Sequence, residues 1–364
     1  RFGLSDVVGY ILGGIVASAF LTWFGIDILS SLSYGESLKW LGLTLFSFTL
    51  GNSIGLHKIV ENVRSVVASE LILYAILWVF SGFMSWLLRF GYVERVALFL
   101  LLINSSSVAI ATLSKSFSNV TSPLYARAVI QTSVEDLLQF TFFTLLFVAG
   151  VSLPNTPLEF FVRIIIVAGL AMLLLSLSRF LLRFLSKTRF VADRENKFVL
   201  ATGFAILFAS TASIAGLPPL FGAFIAGISF SAFLKLDDIA DMINGLRSLG
   251  LLLYFTSLGS QLYLGVSRQG LDTVLVGAVL GLAAYLARAT GLLIAILFTG
   301  YGISDGVALS LYLTPLSEMG IVFTDTLVEK GVLLESSANI FIMTVLTTIM
   351  LYGIATPRIA TKAV

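Results

Sequence analysis

The chain has 364 residues, of which 58% are hydrophobic and 12% are charged, and apolar runs long enough to span a bilayer recur from end to end, which predicts a polytopic α-helical membrane protein. These runs are continuously apolar rather than alternating, which excludes a transmembrane β-barrel. A net charge of +2 without aromatic-interleaved basic runs excludes nucleic-acid binding, and the absence of cysteine excludes disulfides and thiolate chemistry.

The apolar pattern predicts about twelve membrane-spanning helices joined by short connections. The residues before the first helix lack the basic segment and cleavage site of a signal peptide. No connection is polar enough to form a soluble domain, so the sequence predicts a single integral membrane domain over residues 1–364. In chain order, the predicted helices span residues 6–24, 37–55, 63–88, 93–113, 121–149, 158–186, 195–214, 218–234, 241–265, 270–299, 304–329 and 333–355.

The basic residues favour one side of this arrangement. Of the 22 Lys and Arg residues, fifteen fall on the side that holds both chain ends and six fall on the other. Because cytoplasmic connections carry the excess of Lys and Arg, we expect the C-terminus in the cytoplasm. We also expect the protein to lie in the cell membrane. Lys115 and Arg127, at the cytoplasmic ends of the fourth and fifth helices, are interpreted as positive-inside anchors. Arg288 belongs to neither side, since it lies deep in the tenth helix.

The fifth predicted helix carries two adjacent acids, Glu135 and Asp136, near its middle. With Arg288 and Glu318, they are the ionisable residues predicted inside the membrane, where such residues usually face the protein interior and mark ion paths. Neighbours on a helix point about 100° apart, so one acid can pair with Arg288 while the other faces a solvated cavity. The alternative is a static network of ion pairs that only fixes packing. Three acids against one Arg favour exchangeable protons or cations instead.

Two predicted helices are interrupted at their midpoints. The fourth has Asn104 followed by three serines, and the eleventh has the segment "TPLSE" around Pro315. Proline breaks the helical hydrogen-bond ladder, and unwound backbone at membrane depth is tolerated only where protein or water satisfies it. Paired interruptions in the two halves of a chain indicate the central site of a transporter. Taken singly, a run of serines can simply bond back to helix carbonyls.

Six motifs in the correct order resemble the monovalent cation:proton antiporter-2 family, and together they cover nearly the whole chain. They are "VVGYILGGIVAS", "NSSSVAIATL", "QTSVEDLL", "GLPPLFGAFIAGISFS", "LLLYFTSLGSQL" and "LTPLSEMGIVF". The resemblance implies an all-α polytopic membrane protein with the inverted-repeat cation/proton antiporter fold. That fold has two crossed discontinuous helices, a core domain and a dimerisation domain, which implies a homodimer.

The resemblance also implies how the repeats are arranged. The family commonly has one more helix than the sequence predicts here, so the first family helix is expected to be absent from this chain. The first repeat then covers about residues 1–150, a linker helix covers 158–186, and the second repeat covers 195–355.

Carried over by motif position, Asp136 is the carboxylate expected to bind proton and metal cation, Na⁺ or K⁺, alternately. Glu135 takes the preceding position, where the family varies between acids and amides. Arg288 aligns with a basic position of the family that is often Lys. The resemblance implies that the residue at this position is the partner of Glu135. Because Arg does not release its proton, we expect a permanent Glu135–Arg288 pair rather than a proton-carrying Lys.

A hard cation needs several oxygen ligands besides Asp136. The other expected ligands are water and the hydroxyl or carbonyl oxygens of three residues in the first interruption, Ser105, Ser106 and Ser107. Secondary candidates at the second interruption are Glu318, Thr314 and Ser317. The alternative for Glu318 is a structural acid that caps broken backbone.

The sequence therefore predicts a secondary antiporter that exchanges protons for Na⁺ or K⁺ by alternating access, without a cofactor and without enzymatic activity. Its expected partners are monovalent cations, protons, membrane lipid and a second copy of the chain. The alternative is a gated cation channel or a sodium-coupled symporter on the same fold, although no selectivity-filter loop is evident. An intramembrane enzyme needs a nucleophile–base pair or a metal-ligand cluster, and a chain with no Cys and one His offers neither.

Overall fold

The computed structural model describes residues 6–25, 28–53, 56–106, 110, 123–147, 157–185, 193–215, 217–233 and 239–360. Within these ranges the chain forms thirteen α-helices, which confirms the predicted all-α class. In chain order they are α1 (Asp6–Trp23), α2 (Ile28–Ser53), α3 (Leu56–Leu88), α4 (Tyr92–Leu102), α5 (Pro123–Phe147), α6 (Pro157–Leu185), α7 (Arg194–Ile214), α8 (Pro219–Phe233), α9 (Ala240–Gln269), α10 (Leu271–Phe298), α11 (Ile303–Leu313), α12 (Glu318–Glu329) and α13 (Glu335–Ala360).

Both predicted interruptions are present. The predicted helix 304–329 is divided into α11 and α12 by four non-helical residues, of which Pro315 is the second. The predicted helix 93–113 ends at Leu102, and Asn104 to Ser106 are non-helical. Most of the second half of that predicted helix lies outside the described residues.

Six helices of the described chain are long and apolar enough to cross a membrane, judged by length and composition. Shorter apolar segments lie in α8 and make up α11. Large apolar side chains such as Trp86, Phe161 and Phe298 are exposed on the long helices, as lipid contact requires. The six long segments are Asp6–Trp23, Arg64–Leu88, Phe161–Leu185, Arg194–Ile214, Leu271–Phe298 and Glu335–Ile354.

The chain forms two compact units, each assembled from separate segments. The first comprises Arg1–Gly9, His57–Gln139 and Leu262–Val364, and the second comprises Tyr10–Leu56 and Phe140–Gln261. Each unit therefore takes segments from both predicted repeats, and the repeat boundaries stay a prediction. All the candidate ion-binding residues belong to the first unit.

In the first unit, α10 packs against α13 through two glycines. A Cβ on Gly277 would overlap Met343, and a Cβ on Gly281 would overlap Thr347. Small residues allow membrane helices to approach this closely. Gly281 lies two turns before Arg288 on the same helix, so this contact helps to fix the position of Arg288 within the unit.

In the second unit, α2 and α8 approach each other in a similar way. Gly51 lies against the backbone carbonyl of Phe224, and Gly227 lies against that of Phe48. The ring of Phe224 stacks on that of Phe140, with centroids 4.1 Å apart. The core of this unit therefore contains two kinds of contact: glycines packed against backbone, and aromatic rings stacked on each other.

Candidate functional site

The two unwound segments hydrogen-bond to each other in the first unit, and we call this region the crossing. Ser106 donates its backbone N–H to the carbonyl of Pro315 at 2.8 Å, and Ser317 donates its backbone N–H to the carbonyl of Asn104 at 3.0 Å. The residues between these bonds form an isolated antiparallel bridge. Each segment thus satisfies backbone groups of the other, which burial at membrane depth requires.

Arg288 binds the C-terminal ends of the two half-helices that lead into the crossing. Its guanidinium donates to the carbonyl of Leu102, the last residue of α4, and at 2.9 Å to the carbonyl of Leu313, the last residue of α11. Helix C-termini carry unpaired carbonyls and a partial negative charge. The fully buried Arg288 therefore gives both terminal carbonyls a hydrogen-bond donor and offsets the partial negative charge of both helix ends.

Glu135 is the carboxylate that faces Arg288. Its Oε2 lies 3.8 Å from Nη2 of Arg288, and both side chains are fully buried. The same oxygen accepts the backbone N–H of Ser105 at 2.6 Å, and the hydroxyl of Ser105 accepts from Nη2 of Arg288 at 2.7 Å. The structure brings together the two residues that the sequence predicts to pair, and Ser105 contacts both.

The serine hydroxyls expected as cation ligands donate to protein acceptors. Ser105 donates its hydroxyl to the carbonyl of Leu313 at 2.8 Å, and Ser106 donates to Oε1 of Glu318 at 2.7 Å. A hydroxyl has one donor and two lone pairs, so a cation could use only the lone pairs that remain. Ser107 lies outside the described residues.

Glu318 lies at the crossing, in the first turn of α12. Ser317 caps this helix, because its side chain accepts the backbone N–H of Met319 at 3.2 Å. An acid in the first turn is favoured by the helix dipole. Thr314 donates its hydroxyl to the carbonyl of Ser310 at 2.6 Å, a bond back to its own helix. Ser317 and Thr314 therefore bond backbone groups, whereas Glu318 accepts the hydroxyl of Ser106. A role for these three residues in ion binding stays a prediction.

Asp136 accepts a hydrogen bond from a side-chain amide. Nδ2 of Asn104 donates to Oδ1 of Asp136 at 2.8 Å and to Oε1 of Gln139 at 2.5 Å. Gln139 in turn donates to the carbonyl of Leu100 at 2.8 Å. Asp136 is 2% exposed. The sequence pattern places Asn104 in the interruption but does not indicate this contact, because the pairing of α4 with α5 is a tertiary feature.

A buried acid that the sequence analysis missed, Glu70 on α3, lies near Glu135. Gln131 joins the two acids, since its Nε2 donates to Oε1 of Glu70 at 2.5 Å and to Oε1 of Glu135 at 3.4 Å. Glu70 is 1% exposed. Its signal in the sequence is a single acid in the apolar run "VVASELILYAIL", the same kind of signal that identifies Glu135.

We expect Glu70→Gln to leave thermal stability unchanged or higher. Two buried carboxylates, Glu70 and Glu135, lie near one guanidinium, and glutamine removes the surplus charge while keeping an acceptor for Gln131. Glu70→Leu removes that acceptor and is expected to lower the free energy of unfolding by about 1–3 kcal/mol. Thermal unfolding of the purified protein in detergent measures both variants. Equal destabilisation by the two would show instead that the charge of Glu70 is required.

Arg127, which the sequence places at the cytoplasmic end of its helix, is buried in the structure. It is 4% exposed, and it donates to the hydroxyls of Ser65 and Ser69, each at 3.2 Å. These bonds connect α5 to α3, and the interpretation of Arg127 as a positive-inside anchor stays a prediction. Lys115 lies outside the described residues.

The described part of the chain brings together no group of three or more His, Cys, Asp or Glu side chains that could hold a metal ion. A hard cation at Asp136 would need several oxygen ligands besides this carboxylate.

Both a protein-family model and solved structures match this chain. The sequence model of the family described as "Sodium/hydrogen exchanger, transmembrane" matches residues 1–362. No curated protein sequence matches the chain at significant similarity.

Among solved structures, the chain is similar to the sodium proton antiporter MjNhaP1 from Methanocaldococcus jannaschii at pH 8, with 19% identity and a TM-score of 0.72 over 98% of this chain and 91% of that chain. An electron-microscopy map of the same antiporter gives 16% identity and a TM-score of 0.69 over 99% of this chain and 91% of that chain. At these identities the similarity shows the fold, and it confirms the fold predicted from the sequence.

Proposed function

Because the chain belongs to the transmembrane sodium/hydrogen exchanger family, we propose that it exchanges protons for monovalent cations at the carboxylate of Asp136. The chain is a multi-pass membrane transporter and not an enzyme. The family match spans residues 1–362, so proton-coupled cation antiport is the activity of the whole chain. Membership of the antiporter-2 branch within the family stays a prediction from the motifs.

The observation that carries the role of Asp136 is the difference between two adjacent buried acids. Glu135 faces Arg288 at 3.8 Å, and a guanidinium keeps its charge. Asp136 accepts from the neutral amide of Asn104 at 2.8 Å, and an amide leaves the carboxylate able to take a proton or a cation. Adjacent carboxyl groups in such different surroundings can take different roles.

We infer that a proton and a cation occupy Asp136 in turn. When the proton leaves toward one side of the membrane, the carboxylate attracts a cation from that side. The site then opens to the other side, where a proton displaces the cation. Either occupant compensates the charge of Asp136, which lowers the cost of holding it at membrane depth.

Both Na⁺ and K⁺ are candidate cations, since one carboxylate with neutral oxygens suits either. The family resemblance supports a homodimer. The excess of Lys and Arg on the side of both chain ends supports a cytoplasmic C-terminus. A place in the cell membrane is part of the same proposal.

Vesicles that contain the purified protein and a pH-sensitive dye test the exchange. We expect Na⁺, K⁺ or Li⁺ added to one side to drive protons the opposite way, and the cation with the largest effect identifies the substrate. A gated channel would carry the cation without linked proton movement, and a sodium-coupled symporter would move its solutes in the same direction. Either result would contradict antiport.

The apparent KM for the cation is expected to rise as the pH falls, because protons and cations compete for one carboxylate. Exchange should also slow at high pH, where protons are scarce. The measurement is the initial rate against cation concentration between about pH 6 and about pH 9, a range in which the transporting group has to bind and release its proton. A KM that stays constant over this range would favour separate paths for the two ions.

A further inference from the structure

The side-chain amide of Asn104 has a defined orientation. Its Nδ2 donates to two oxygens, Oδ1 of Asp136 at 2.8 Å and Oε1 of Gln139 at 2.5 Å. The orientation of Gln139 is itself defined, since its Nε2 donates to the carbonyl of Leu100. Turning the amide of Asn104 over would set its oxygen against two acceptors. Its Oδ1 must therefore point away from both of these contacts.

This Oδ1 is buried and has no hydrogen-bond partner among the residues that the structure describes. Asn104 is fully buried. Folded proteins rarely leave a buried carbonyl oxygen unsatisfied, and the usual explanation for one is a water molecule or an ion. The oxygen is thus an unused acceptor beside the carboxylate to which we assign the exchange.

The neighbouring serines offer less to a cation. Ser105 accepts from Arg288 at 2.7 Å, so a cation at that hydroxyl would face a guanidinium. Ser106 donates to Glu318. Asn104 has neither restriction, because its carbonyl is neutral and its own N–H group already contacts Asp136.

The distances allow one cation to contact both Asn104 and Asp136. The oxygen and nitrogen of an amide lie about 2.2 Å apart, so with the 2.8 Å bond to Asp136 the two Oδ1 atoms are at most about 5 Å apart. Hard cations of the size of Ca²⁺ take oxygen ligands at about 2.3 to 2.6 Å, and Na⁺ is similar in size. Two such bonds reach both oxygens when the cation lies to one side of the N–H bond, which requires a separation below this maximum.

We propose that the side-chain carbonyl oxygen of Asn104 is a ligand of the transported cation and determines the preference among Li⁺, Na⁺ and K⁺. This inference rests on the proposed exchange at Asp136. A neutral ligand adds no charge, so it changes which cation fits without changing the competition between cation and proton.

The test compares the KM values for Li⁺, Na⁺ and K⁺ in vesicles that contain Asn104→Ala. We expect the KM for the preferred cation to rise about tenfold and the ratios among the three KM values to change, because ligands of different geometry discriminate by cation size. The matched control is Gln139→Leu, which removes the other acceptor of the same amide but leaves the oxygen in place. We expect it to shift the three KM values by a common factor.

Unchanged KM ratios in Asn104→Ala would overturn the inference and would leave Asn104 as a residue that only positions Asp136, with water at its oxygen. If that variant does not fold, the same ratios are measured in Asn104→Ser, whose shorter side chain displaces the ligand, and unchanged ratios there count equally against it. Failure of the proposed function is a separate result, since it would appear as exchange that persists in Asp136→Asn.

Discussion

Asp136→Asn is expected to abolish cation-dependent proton movement while the protein still folds. Asparagine has nearly the size of aspartate and keeps an oxygen that can accept from Nδ2 of Asn104, so the packing of α5 is preserved. An amide does not bind and release a proton near neutral pH, and it carries no charge to attract a cation. Both halves of the exchange should therefore be lost together.

Dye-based flux in vesicles measures this loss, and thermal unfolding verifies the fold. A suitable control is Asp272→Asn, which removes an exposed acid from the first turn of α10 and should keep normal exchange. Cation-dependent proton flux that survives in Asp136→Asn would show that another group carries the ions. Glu135 and Glu70 would then be the next candidates to test.

Arg288→Ala is expected to cause the largest loss of stability of any single change at the site. Removing one partner of a buried ion pair costs about 3–5 kcal/mol in soluble proteins, because the other charge is left uncompensated. Here the guanidinium also donates to the C-terminal carbonyls of Leu102 and Leu313, so both carbonyls lose this donor, although Leu313 keeps the hydroxyl of Ser105. Thermal unfolding in detergent should show a marked fall in Tm, whereas Arg179→Ala, at an exposed position on α6, should change it little.

Adding Glu135→Gln to Arg288→Ala should restore part of the lost stability. The second change removes the uncompensated carboxylate, but the carbonyls of Leu102 and Leu313 still lack the guanidinium as a donor, so recovery should be incomplete. Arg288→Lys should also be destabilised, since an ammonium lacks the planar fork that reaches two carbonyls. A folded double variant no more stable than Arg288→Ala would mean that Glu135 and Arg288 contribute independently.

The features that could be predicted from the sequence are those that follow from burying charged or helix-breaking residues of an apolar segment in a membrane. Charge inside an apolar run has to be compensated, which is why Glu135 and Arg288 could be expected to meet. Proline and clustered polar residues cannot continue a buried helix, which is why both interruptions could be located. These arguments need only the local sequence and the properties of the bilayer.

The features that could not be predicted depend on which atoms the tertiary structure brings together. The sequence predicts the serines of the first interruption as cation ligands and does not indicate Asn104. The structure distinguishes them, because Ser105 is taken up by Arg288 while the oxygen of Asn104 is left unused. Likewise, nothing in the sequence indicates that Arg288 reaches the ends of two half-helices as well as one acid.

The two reciprocal bonds at the crossing involve no side chain. The N–H of Ser106 bonds the carbonyl of Pro315, and the N–H of Ser317 bonds the carbonyl of Asn104, so all four groups belong to the main chain. Substitutions that keep a main-chain N–H at Ser106 and Ser317 leave these four groups in place. A descendant of this protein can therefore change the residues that choose the ion while it inherits the same scaffold, and ion preference can diverge faster than architecture.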